Sequence, residues 1–385
     1  MFRLYFLAFL LLNSLCVYSY PQFSSFGYRS CLTCHYNPQG NGPLNDYGRA
    51  VSATAISGRS LSSGSRSEED LAKSSSFFFG AFDKNTWLRP SVDYRGIQVS
   101  SAINQDSGTS RFINMQGVVS ITVQNKDRSL YAVADIGYAP APPRSDESEM
   151  RSREHYIGYR LNQNTGIYVG MMDIAYGIRL ADHTAFSRRY NSLAQNDQTH
   201  GVLVHYSTDK FEVSGHGFLG SMFEESNLRQ QGASFVSEYS INPNWHLGAS
   251  GLYSTSEFKE QINYGLHSRN SFGKGSVILS EVGFRNLKYS SENEGTLGLY
   301  GMFRSQTRLL RGLYANSGID YFRSDLDETP EVWRFSIGTQ YFPAQRLEFR
   351  VDLSTTRIIN SLSSRGASRL REDAFDLFSQ VHLWF

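Results

Sequence analysis

Cys31-Leu32-Thr33-Cys34-His35 sets two thiols three positions apart, with an imidazole directly behind the second. Three chemistries suit that spacing. The thiols can close a local disulfide, supply half of a zinc site, or form thioethers to the two vinyl groups of a c-type haem, with the next histidine under the iron. The chain has three cysteines, and the third, Cys16, falls in an N-terminal leader. No second pair therefore exists to finish a zinc site. Spacing, and the use of every remaining cysteine, point to one haem c, attached by Cys31 and Cys34 with His35 as proximal ligand.

The leader is residues 1–19. Arg3 gives the positive start, 4–12 is apolar but too short to span a membrane as a helix, and Val17-Tyr18-Ser19 offers a cleavage context. Residues 20–50, rich in Gly, Pro, Asn and aromatics, read as a monohaem cytochrome c-like head, and 51–86, rich in Ser and Gly, as a linker. The head is too short to wrap a haem alone, so the rest of the chain must lend a wall. It holds no Met and no second His, so a distal ligand must come from elsewhere or be water.

From residue 87 to 385 the sequence has a period of two. Leu347, Phe349, Val351 and Leu353 alternate with Glu348, Arg350, Asp352 and Ser354. Phe375, Leu377, Val381, Leu383 and Phe385 share one face of the last segment, opposite Asp376, Gln380 and His382. Strands are expected near 87–103, 111–124, 127–140, 151–162, 165–176, 199–208, 210–221, 230–241, 244–256, 260–270, 273–287, 293–305, 310–323, 330–342, 345–357 and 372–385. That pattern is an all-β fold, a transmembrane antiparallel β-barrel of about sixteen strands with apolar residues toward lipid and charges toward a wet lumen. Tight turns such as Asn162-Gln163-Asn164 and Asn242-Pro243-Asn244 tend to alternate with longer connections, as periplasmic turns and external loops do, and put both ends in the periplasm. A net charge of +1 gives no reason to expect a nucleic-acid partner.

Residues 175–200, AYGIRLADHTAFSRRYNSLAQNDQTH, form the longest loop and the third external one. One reading folds it inward, bringing Arg179, Asp182, His183, Arg188 and Arg189 toward the lumen, with His183 a candidate distal ligand. The other leaves it a solvated external loop. Met171 and Met172 on the preceding strand are alternative ligands, or packing residues. His216, His246 and His382 show no ligand-like grouping and are expected in the lumen or girdle. Glu224 and Glu225 read as solvated charge on an external turn. Neither a nucleophile elbow nor a phosphate loop is present; a covalently held haem suits an electron-transfer protein rather than a catalyst with a conventional active site.

The pairing of Pro21-x-Phe23, Phe26-Gly27, Cys31-x-x-Cys34-His35, Pro38, Leu44 and Gly48-Arg49 with a following barrel resembles the fused monohaem cytochrome c–porins of bacterial outer membranes, known from iron-oxidising bacteria. The motif covers about thirty residues; the barrel matches in architecture. The resemblance implies haem on Cys31 and Cys34, His35 as its ligand, and a head that occupies or caps the lumen. It also implies electron passage between an external donor or acceptor, such as iron, and periplasmic carriers. Two further functions compete: a diffusion porin whose head is clipped by a disulfide or a structural haem, and a sheath for a separate multihaem cytochrome.

Overall fold

The period of two builds a closed wall. The structure is a computed structural model that describes Ser25 and residues 28–61, 66–81, 87–103, 108–138, 150–182, 184–194, 196–273, 275–327, 330–360 and 370–385. The leader expected over 1–19 lies outside the described residues. One sheet contains β1 (Leu88–Ile103), β2 (Thr109–Gln124), β3 (Leu130–Tyr138), β4 (Met150–Arg151), β5 (His155–Arg160), β6 (Thr165–Met172), β7 (Thr199–Ser207), β8 (Phe211–Phe218), β9 (Gln231–Asn242), β10 (Trp245–Thr255), β11 (Lys259–Ser271), β12 (Val277–Tyr289), β13 (Thr296–Leu310), β14 (Leu313–Arg323), β15 (Glu331–Ala344), β16 (Leu347–Asn360) and β17 (Leu370–Trp384). β1 closes on β17 from Asp93↔Trp384 to Ile103↔Ala374. β4 and β5 both lie along β3. They are two pieces of one stave, so the barrel has sixteen, all antiparallel. Closure leaves no unpaired edge, which lipid requires.

The alternation sorts side chains as expected. Val119, Ile121, Val202, Ile337, Val351 and Leu353 are exposed on the outer face, whereas Ser120, Thr122, Leu203, Glu348 and Ser354 are buried inside. Exposed Tyr159, Tyr206, Tyr239 and Trp245 sit on the outer face near the short turns, as an interfacial aromatic girdle does. The turns after β2, β5, β7, β9, β11, β13 and β15 are short, and Leu88 and Trp384 lie at that same end.

Two departures from the expected elements matter. The fourth stave is broken at 152–154, and β6 stops at Met172 instead of continuing to 176. The segment read as a linker is also not one over its described part. Helix Asp46–Val51 runs straight into a wider turn at Ser52–Ile56, and Glu68–Ser74 forms a further helix. Composition alone missed this because Val51, Ile56, Leu71 and Phe77 are few among many Ser and Gly, yet all four are buried. Val51 and Ile56 pack with Tyr314 and Phe342 of the wall.

Candidate functional site

The motif is held in a tight turn. The Cys31 carbonyl accepts the backbone N–H of Cys34 at 3.1 Å and of His35 at 2.9 Å. This brings Cys31, Cys34 and His35 to line one cavity of about 310 Å³. Asn45 fastens the turn to the helix behind it. Its amide donates to the carbonyls of Thr33 at 3.1 Å and His35 at 3.3 Å, its N–H donates to the Cys34 carbonyl, and its Oδ1 caps the helix through the Gly48 N–H at 2.9 Å. Helix and turn pack so closely that a Cβ on Gly48 would stand 2.3 Å from the Cys34 carbonyl oxygen, so glycine is required.

The chemistry of the three side chains fits a c-type haem. Both thiols are free. Burial, with a smaller push from the Glu212 carboxylate, raises Cys31 to about 11; burial, then the neighbouring Cys31, raises Cys34 to about 12. Protonated buried thiols are poor metal ligands, which speaks against a zinc site. Burial lowers His35 to about 4, opposed weakly by the backbone at Gly42. The ring is therefore neutral at ordinary pH, as an iron ligand must be. Its Nδ1 is buried and makes no hydrogen bond of good geometry.

The head enters the barrel at the short-turn end, and the wall supplies the partners it lacked. The broken fourth stave is the main one. Asp135 Oδ1 accepts from Ser152 Oγ at 3.1 Å, Arg153 N at 2.7 Å and Glu154 N at 2.9 Å, fixing the break. The break turns Glu154 inward, where it accepts from the Asn37 amide at 2.7 Å. Tyr131 donates to the Tyr36 carbonyl at 2.6 Å. Tyr36 joins Tyr131, Tyr156, Tyr168, Met172 and Leu203 in one buried cluster. Arg49 lies 3.7 Å over the Phe77 ring and donates to the Phe385 carbonyl at 2.9 Å.

The long loop after β6 folds inward from the other end. Ile178, Arg179, Leu180, Arg188 and Leu193 line the same cavity as the motif. Glu281 accepts the Ile178 N–H at 2.8 Å, and Gly177, at φ +55°, leaves room for that carboxylate. Asp182 lies 3.5 Å from Arg304 and from Arg334, and Asp320 joins both arginines on the wall. Burial alone would raise Asp182, but Arg334 and Arg304 hold it far below the carboxylate range. Tyr190 stacks on Phe322 at 3.9 Å and 10°. The inward alternative is therefore the observed one.

Of the candidate ligands, Cys31, Cys34 and His35 come together. Met171 does not line the cavity. It shares outward parity with Ile167 and Val169 and lies between His155 and His200 on neighbouring strands. Met172 faces inward but is spent in the Tyr36 cluster. His183 lies outside the described residues. His216, His246 and His382 are buried in the wall, and Glu224 and Glu225 are exposed. Two wall histidines line the cavity. His382 is bonded at both nitrogens, to Glu348 at 2.9 Å and Asp93 at 2.8 Å, whereas His267 keeps a buried, unpartnered Nδ1. Sequence reasoning passed over Asp93, Arg95, Arg153, Glu238, His267 and Arg269. For the five on strands the one signal is a charged or titratable group on the inward parity; Arg153, in the break, has none.

No family model matches the chain, and no curated protein matches it in sequence. Solved structures do match in fold. OmpT of Vibrio cholerae, in a form lacking loop L8, superposes with a TM-score of 0.59 at 12% identity, over 78% of this chain and 100% of that one. An anion-selective porin from Comamonas acidovorans gives 0.59 at 9% identity, over 77% and 99%. OprB of Pseudomonas putida gives 0.56 at 10%, over 77% and 94%. At such identities the likeness is one of fold: the wall is a porin-like β-barrel.

Proposed function

We propose that this chain is a bacterial outer-membrane electron-transfer protein, a fused monohaem cytochrome c–porin. It would carry electrons between an external donor or acceptor and periplasmic carriers. The observation that supports this most is that Cys31, Cys34 and His35 share one luminal cavity with the inward loop. Cys31 and Cys34 would hold the haem and His35 would ligate its iron. The group supplies a one-electron couple. The chain's own residues do the rest. Asn45 and Gly48 fasten the turn, burial keeps His35 unprotonated, and Ile178, Leu180 and Leu193 give the cavity an apolar lining on the loop side. The short-turn end that receives the head would face the periplasm and the inward loop the outside, so an external partner would meet the loop and a periplasmic one the head.

A diffusion porin with the same wall needs an open lumen, whereas two inserts here occupy it. Proteoliposomes separate the readings. With the full chain, an external reductant should reduce a trapped, membrane-impermeant redox dye, and Cys31→Ala/Cys34→Ala should abolish this, while sugars stay excluded. Free sugar passage with no dye reduction would favour the porin.

A further inference from the structure

We propose that Arg95 and Arg153 form the anion site that receives the haem propionates, a reading that rests on the cofactor proposed above. The argument starts from where the cysteines lie. Arg269 on β11 donates to the Arg29 carbonyl at 2.9 Å, and Arg29 reaches Ser240 on β9 at 3.3 Å. These contacts set Cys31, two residues on, against the β8–β11 side, where Glu212 and Arg269 act on its thiol. In a haem c the thioether corners and the propionates occupy opposite edges of the macrocycle. The propionates must therefore point across the lumen, and half-way round sixteen staves from β8–β11 stand β17 and β1.

That side of the cavity carries Arg95 on β1, and Arg153, in the break of the fourth stave and nearly a quarter turn further round, lines the same cavity. Their neighbouring carboxylates leave them without a hydrogen bond. Asp93 Oδ2 accepts from His382 at 2.8 Å, its buried Oδ1 stands 3.8 Å from Arg95 Nε and accepts none, and Asp135 takes the three donors of the break. Arg95 Nε is buried with no hydrogen bond, and Arg153 uses its Nε on Asn196 of the inward loop at 3.1 Å. Two guanidinium groups with donors to spare, facing a shared cavity, suit two carboxylates. The competing cations are Arg188 on the loop, whose Nη1 is also buried and unpartnered, and Arg49 of the head, whose Nε and Nη1 are.

Charge gives the sign of the test. Oxidised haem carries one more positive charge than reduced haem, so nearby guanidinium groups favour reduction, and removing them favours oxidation. Potentiometric titration of the full-length, haem-loaded protein in detergent should show Arg95→Gln/Arg153→Gln shifted at least tenfold toward the oxidised form, 59 mV for one electron. Each single variant should show part of that shift, and Arg188→Gln less than threefold. If the double variant does not insert, Arg95→Gln alone is scored and should shift at least threefold. A double-variant shift under tenfold, or one matched by Arg188→Gln or by Arg49→Gln, overturns the assignment while leaving a haem protein in place. A wild-type chain without haem overturns both this site and the function proposed above.

Discussion

The head and the inward loop enter the barrel from opposite ends and are held by different groups. The head is gripped by its backbone. Tyr131, Arg269, Arg311, Tyr314 and Arg346 of the wall donate to the carbonyls of Tyr36, Arg29, Ser57, Ile56 and Ser74 respectively. The loop shares some of that grip, with Arg285 and Gln261 donating to the Tyr190 and Asn191 carbonyls, but adds charge: Asp182 and Thr184 on Arg334, and the Ile178 N–H on Glu281. Carbonyls satisfied by long wall donors fix the position of a short, glycine-rich segment without asking much of its side chains. A carboxylate between arginines fixes a loop only while it stays charged.

That contrast can be broken experimentally. Removing residues 28–81 should have the largest effect. The sixteen-stave wall persists, and single-channel conductance rises on the order of tenfold, because a barrel of this size leaves an aqueous channel once emptied. Asp182→Ala should loosen the loop alone. Losing hydrogen-bonded ion pairs costs about 1.5–3 kcal/mol, tempered because Asp320 still pairs Arg304 and Arg334. Trypsin should then cut at Arg188 or Arg189 about tenfold faster, with head cleavage unchanged. Arg311→Ala is the mirror experiment. It removes donors to Ser57 at 2.9 Å and Thr54 at 2.5 Å and should speed cleavage near Arg59 by roughly threefold while sparing the loop.

Acid should separate the two inserts as well. His35 has its folded value lowered from 6.5 to about 4. The unfolded or undocked ring therefore binds a proton that the docked ring refuses, and head docking weakens as pH falls from 6.5 towards 4. Asp182 is lowered from 3.8, so its contribution is intact above that value and is lost only below it. In the Cys31→Ala/Cys34→Ala variant, which carries no haem to hold His35, hydrogen exchange between pH 6.5 and 4 should quicken in residues 28–56 and not in 175–194. Equal quickening in both would remove His35 as the head's acid-sensitive element.

Most of the wall could be read from alternation. The inward set Glu348, Arg350, Asp352, Ser354 faces the lumen as its parity requires, because a one-residue slip would put charges into lipid. That Cys31, Cys34 and His35 would face one space was legible for the same kind of reason, since it follows from spacing within five residues. The partners of both inserts were not. Nothing local in Asp135 announces that it pins a break on the next stave, nor in Glu154 that it will meet Asn37, a contact that joins residues 117 positions apart. The linker reading failed similarly: Ser- and Gly-rich composition signals freedom only if no wall donors wait for the backbone.

The central claim is that the turn at Cys31–His35 carries a haem inside a porin-like wall. The most direct test is a reduced-minus-oxidised absorbance spectrum of the membrane-extracted protein, beside the Cys31→Ala/Cys34→Ala variant. The account predicts a sharp c-type band in the wild type and none in the variant, with equal barrel yield in both. A properly exported, folded wild-type protein with no such band would contradict it, and would leave Cys31 and Cys34 as a small clip on the head of a plugged porin.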